Sequence, residues 1–311
     1  MAERTIDGVR NSDPRSAPLC ADVRRSSEQA GPVVLSTVGE PSFRLRGRPL
    51  FFNAAPQRLF GVYYRASENN CLGPAVLICP PIGNEYVRSY NAIRKLCERL
   101  SQNGFPVLKF DYCGFGDSYG DGSQADVGEW RANIRAAASE LSRQSGQTQI
   151  TVVGLRLGAA LAAGVTLDGV RLKNLVLWDP VVNGVDYLAE LERAHRLCLT
   201  DTFRFRRPQR HRLTDTERLG FRYPVRMQLS IAELNLLNTP YSYDNCFLVT
   251  SAERAEYESL ARTLDCNTRG RFTRELVKES TAWGDYGQVE GTLRINRTVT
   301  TIANKISNGF V

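Results

Sequence analysis

Gln149-Ile-Thr-Val-Val153 runs into Gly154-Leu155-Arg156-Leu157-Gly158, and the chain continues as Ala159-Ala-Leu-Ala-Ala163. Four of the first five residues are β-branched, which predicts a strand, and the alanine-rich stretch predicts a helix over 159–165. Between them sits a turn with the spacing of the nucleophile elbow G-x-S-x-G. There, small residues let a strand reverse sharply into a helix and hold the central side chain above the sheet. The central residue here is Arg156.

The same rhythm extends outward from the elbow. Ala75-Val-Leu-Ile-Cys79 is a continuous apolar run ended by Pro80 and Pro81, and 105–112 and 175–178 read the same way. Helical spacing covers 89–103, stopped by Gly104, and 127–143. Beyond 183, helical pattern without strand rhythm continues to about 243. A strand at 246–250, a helix from Ala255, a strand near 274–278 and a helix over 293–306 follow. Polar–apolar alternation over 32–65 predicts one or two antiparallel hairpins first. Strand–helix alternation of this kind specifies an α/β fold with a mostly parallel central sheet flanked by helices. The predicted organisation is a flexible leader (1–30), a core (31–183 and 245–311) and a helical cap insertion (184–244).

Composition narrows the function classes. Of 311 residues, 42% are hydrophobic and 23% charged, which excludes a largely disordered or fibrous chain. No run reaches the roughly 18 apolar residues that a transmembrane helix needs. Residues 1–29 have no apolar core of a secretion signal, so the expected location is cytoplasmic, away from membranes. The eight cysteines form no C-x-x-C pair and are expected to be reduced thiols. With two histidines and two methionines, neither a metal nor another cofactor is expected. The net charge of +7 is concentrated in 193–226, where ten arginines face Asp201, Asp215 and Glu217. Such a segment suits phosphate, a carboxylate or an acidic partner, or is a solvated helical face. It lacks a nucleic-acid reading motif, so no nucleic acid is expected.

Four segments carry a family resemblance: Cys79-Pro-Pro-Ile-Gly-Asn-Glu-Tyr86, Phe110-Asp-Tyr-Cys-Gly-Phe-Gly-Asp-Ser118, the elbow, and Leu177-Trp-Asp-Pro-Val-Val-Asn-Gly184. Together they resemble the α/β-hydrolase superfamily of the serine-aminopeptidase-like type. Within it they are similar to exosortase-associated hydrolases of the second type, whose members carry a similar G-L-R-L-G elbow. The resemblance implies the α/β-hydrolase fold, with an acid after the strand that follows the insertion and a histidine after the last strand. Glu253 stands at the first place, but 278–286 contains no histidine and Trp283 lies there instead. The two histidines, His195 and His211, both fall in the insertion. A Ser-His-acid hydrolase needs its base within hydrogen-bond reach of the nucleophile, so ordinary serine hydrolysis is not expected.

What the elbow does offer is an anion hole. The N–H of Leu157 and the loop at Ile82 and Gly83 can donate, and the planar fork of Arg156 suits a carboxylate or phosphate. The competing reading pairs Arg156 with Asp179 or Glu85 as a structural salt bridge. Asp179, at a strand's carboxyl end, is a candidate base. Glu85, Tyr86, Cys79 and Cys113 are further candidates for the pocket, as are His195, His211 and Trp283. The expected reaction is C–O cleavage of an acyl- or ester-bearing biosynthetic intermediate by elimination of a carboxylate. Hydrolysis with a non-standard base, or a binding protein without activity, are the alternatives. The expected partners are a small anionic or ester-bearing substrate, an acidic acyl carrier protein that the arginines 204, 206, 207, 210 and 212 would attract, and a second copy as a homodimer.

Overall fold

The computed structural model describes residues 47–310, apart from 55, 68–72, 124, 167–170, 202–213, 282, 284–292 and 294. The expected leader, His211 and the arginines 204, 206, 207, 210 and 212 lie outside the described residues.

The chain opens with β1 (Gly47–Ala54) and β2 (Gln57–Tyr64), an antiparallel hairpin. Next come β3 (Ala75–Cys79), α1 (Gly83–Gln102), β4 (Val107–Phe110), α2 (Val127–Ser145) and β5 (Gln149–Leu155). The elbow leads into α3 (Leu157–Ala163), followed by β6 (Arg171–Trp178). The insertion carries α4 (Gly184–Thr200), β7 (Glu217–Arg218), β8 (Phe221–Arg222), α5 (Val225–Ala232) and a 3-10 turn (Leu236–Asn238). β9 (Asn245–Thr250), α6 (Ala255–Asn267), β10 (Phe272–Leu276) and α7 (Asn296–Ser307) complete the described chain.

Eight strands form one sheet in the order β1-β2-β4-β3-β5-β6-β9-β10. From β4 to β10 all neighbours are parallel, and β2 joins β4 antiparallel. β3 and β4 are buried throughout, which is why they read as unbroken apolar runs. α1 and α7 pack on one face, while α2, α3, α6 and the cap helices share the core of the other. This is the α/β-hydrolase fold.

Two expectations are corrected here. α1 begins at Gly83, six residues before the expected start at 89, and its first turn, which holds the buried carboxylate of Glu85, lacks the apolar spacing that marks the rest of the helix. The cap is not purely helical. β7 and β8 form a two-residue hairpin turned by Leu219 and Gly220, both at positive φ (52° and 85°), as its reversed turn requires.

The elbow closes because α3 lies against the end of β3. A Cβ on Gly158 would stand 2.3 Å from the carbonyl oxygen of Cys79 and 2.4 Å from that of Pro80, both backbone atoms. We expect Gly158→Ala to destabilise the fold by about 1–3 kcal/mol or more through this overpacking. An unchanged urea midpoint would show that the turn tolerates the methyl group.

Candidate functional site

The strand-to-helix turn holds Arg156 at φ 51° and ψ −119°, a conformation that a side chain other than glycine seldom adopts. Its N–H donates to the Trp178 carbonyl (3.0 Å), and its own carbonyl accepts from Ala159 (3.1 Å) and Val181 (3.2 Å). Neighbouring backbone on both sides thus holds the strain.

The side chain points inward and is 2% exposed. Its Nε donates to Glu85 Oε1 (2.8 Å) and its Nη2 to Glu190 Oε2 (3.0 Å). The guanidinium also lies 5.6 Å from the Tyr187 ring centroid and 5.5 Å from that of Trp283. Tyr187 donates its hydroxyl to Glu85 Oε2 (3.2 Å). The anion held by Arg156 is therefore internal, and the competing reading with Glu85 is the geometry observed. Asp179 is not a partner of Arg156 among the described residues. Burial pushes the Glu85 carboxyl above its usual range, with Arg156 and Tyr187 pulling it back.

A cavity of about 270 Å³ opens beside this cluster. Arg156, Tyr187 and Glu190 line it together with Val181 and Val182, and Arg193 and Arg254 share the lining with Asp186 and Glu256. Glu190 retains 16% side-chain exposure, against 4% for Glu85. Of the two carboxylates on Arg156, Glu190 is the one that faces this space.

Asp179 sits beneath, fully buried and also at positive φ (41°). Its Oδ1 accepts from the Ser251 N–H (2.7 Å) and hydroxyl (3.0 Å), and its Oδ2 from Trp283 Nε1 (2.9 Å). The Ser251 hydroxyl is in turn 2.8 Å from that of Thr281. With donors on both oxygens, Asp179 ties the ends of β6 and β9 to the segment after β10, which is a structural tie and not the base expected from its position. Asp179→Asn must turn an NH₂ toward at least one of these donors. It should lower stability by about 1–3 kcal/mol, read as a fall in urea midpoint. Equal midpoints would mean that the network reorganises freely.

The remaining candidates separate clearly. Trp283 fills the place after the last strand, where its indole stacks on Arg156 and bonds to Asp179. Leu157 is buried at the start of α3 and Ile82 at the start of α1. Gly83 has φ 60°, and a Cβ there would stand 2.6 Å from the Tyr223 hydroxyl, so the cap covers this loop. Glu253 is exposed and outside the cavity's lining, which corrects its expected role as the acid. Tyr86 bonds instead to Asp111 (2.8 Å) and Lys109 (2.9 Å). Cys79 is fully buried in β3, and burial pushes its thiol far up. The Cys113 thiol is pushed up to about 11 by burial and Glu129, and it bonds to the Tyr119 carbonyl. Neither is a reactive thiolate. His195 is a buried cap residue whose Nδ1 accepts from the Leu219 N–H (3.1 Å). It does not line the cavity.

Sequence reasoning missed Glu190, Tyr187 and Ser251. The first two lie three residues apart on α4 and so share one helix face. That spacing, on the first helix after β6, is the signal that could have placed them over the elbow.

The family described as serine aminopeptidase, S33 (Hydrolase_4), matches residues 77–232. Several solved structures share the fold. An esterase from Pyrococcus furiosus superposes with a TM-score of 0.52 at 15% identity, covering 75% of this chain and 81% of its own. Est1E from Butyrivibrio proteoclasticus, solved with ferulic acid bound, gives 0.55 at 14% identity, covering 84% and 97%. GrgF, an α/β hydrolase from Penicillium sp. sh18, gives 0.55 at 18% identity, covering 84% and 99%. No curated protein sequence matches the chain.

Proposed function

The chain belongs to the serine aminopeptidase (S33) hydrolase family, and on that premise we propose an enzyme that works by acid–base chemistry with no serine nucleophile. In this reading Arg156 stands where serine hydrolases of the fold carry their nucleophile, and Trp283 where they carry their histidine. Neither can substitute chemically: a guanidinium is no nucleophile, and an indole N–H donates without accepting a proton. The likeness of four segments between 79 and 184 to exosortase-associated hydrolases supports placing the chain in that subgroup.

The observation that carries the proposal is Glu190, a carboxylate held by Arg156 and facing the cavity. A carboxylate fixed in this way is suited to take a proton from carbon next to a carbonyl. In the eliminating reaction, that electron pair forms a C=C bond, the C–O bond breaks and the acyl group leaves as a carboxylate. Arg193 on the cavity's lining is the cation that would meet the departing carboxylate, since Arg254 is paired with Glu256 (3.3 Å) and Asp186 adds a further negative charge. Hydrolysis is the second reading, supported by the Pyrococcus furiosus esterase that shares the fold. There Glu190 would take the proton from water.

A panel of small acyl esters and β-acyloxy carbonyl compounds, turned over in ¹⁸O-labelled water, tests both readings. Elimination yields an unsaturated product and an unlabelled carboxylate, whereas hydrolysis places label in one product. Failure of every class to turn over would leave a binding protein.

A further inference from the structure

A second cavity, of about 630 Å³, lies where α2 and the end of α3 meet the cap. Arg131 on α2 lines it, together with Gly164, Ser230, Glu233 and Asn235. The Nε of Arg131 is buried without a hydrogen-bond partner. Among the described residues no salt bridge reaches its guanidinium. The backbone has made room for this group: a Cβ on Gly164 would stand 2.4 Å from Nη2 and 2.8 Å from Cζ. Burial and the nearby Arg135 both work against the charge, and no carboxylate offsets them. A guanidinium keeps its proton in proteins, so this one is a half-buried cation whose Nε donor is unused. Asp126 on the same wall is already engaged, accepting from the Glu129 N–H (2.8 Å) and from Arg226 Nε (2.9 Å).

We propose that this cavity is an oxyanion-binding site, in which Arg131 takes a carboxylate or phosphate group at the seam between core and cap. The seam is crossed by the Asp126–Arg226 pair and by the Val127 N–H to Ser230 hydroxyl bond (3.2 Å). On the cap side Asn235 lines the same cavity and supplies a neutral amide, while the Ser230 hydroxyl is already engaged with the Val127 N–H and the Met227 carbonyl. A bound anion therefore holds α5 against α2, and its binding is read as stabilisation of the folded protein.

Thermal unfolding of the full chain is followed as inorganic phosphate or acetate replaces chloride at constant ionic strength. A saturable rise in Tm is expected with at least one of the two, and which one identifies the source of the anionic group. Arg131→Gln should weaken that binding at least about tenfold, the loss of one charge-assisted contact. Gly164→Ala keeps the charge but displaces the guanidinium, and it should weaken binding as well. This variant decides the matter if Arg131→Gln does not fold. Glu233→Gln, which removes a like charge from the wall, should tighten binding about two- to threefold. No saturable rise with either anion, or an equal rise in Arg131→Gln, overturns the proposal. A response lost in Arg193→Gln and kept in Arg131→Gln would place the anion in the other cavity and overturn it too.

Discussion

Arg156→Leu should cost the fold about 3–5 kcal/mol, because it strands Glu85 in a fully buried site with no cation. Leucine meets the same positive φ as arginine, so the difference reports the side chain and not the turn. The loss should grow with pH. Burial raises the folded-state pKa of Glu85, so the folded protein holds that proton more tightly than the unfolded chain does. A raised carboxyl contributes its full stability below the unfolded value. It loses that stability as pH climbs from there through the folded value. Without Arg156 the shift widens, so acid pH should partly rescue the variant. Adding Glu85→Gln should recover part of the stability at neutral pH. Urea melts at several pH values check this, and a destabilisation independent of pH would mean that Glu85 is not the group left exposed to the penalty.

Glu190→Gln should lower kcat/KM by about 10²–10⁴ on whichever ester the panel identifies, the range expected when a general base is lost. The amide keeps an oxygen that can accept from Arg156 Nη2, so stability should change little. The two readouts together separate a base from a strut. A variant as active as the parent moves the proton transfer to another group. A variant that unfolds at lower urea in step with its activity makes Glu190 part of the scaffold.

The fold was legible because its determinants are local. The apolar runs of β3, β5 and β6 and the two glycines around Arg156 fix strand, turn and helix without reference to distant residues. The site was less legible, because it is assembled from four separated pieces: the first turn of α1, the elbow, α4 of the cap and Trp283. That Arg156 has a fork suited to carboxylates follows from its chemistry. Glu85 was readable as a competing partner from its place just after the loop at 82–84, whereas Glu190 depends on α4 crossing above the elbow, which the spacing of the motif does not encode. Asp179 shows the same limit: its place at a strand end is readable, whereas the three donors around it come from residues about 70 to 100 positions away.

Intact-protein mass spectrometry during turnover, in the presence of a fluorophosphonate, tests the absence of a serine nucleophile most directly. Reaction without a nucleophile predicts no added mass and undiminished turnover. A stoichiometric adduct on any serine, with turnover falling in proportion, would contradict it. Mapping to Ser251, the serine already bonded to Asp179, would place the chemistry at the buried tie between β6 and β9.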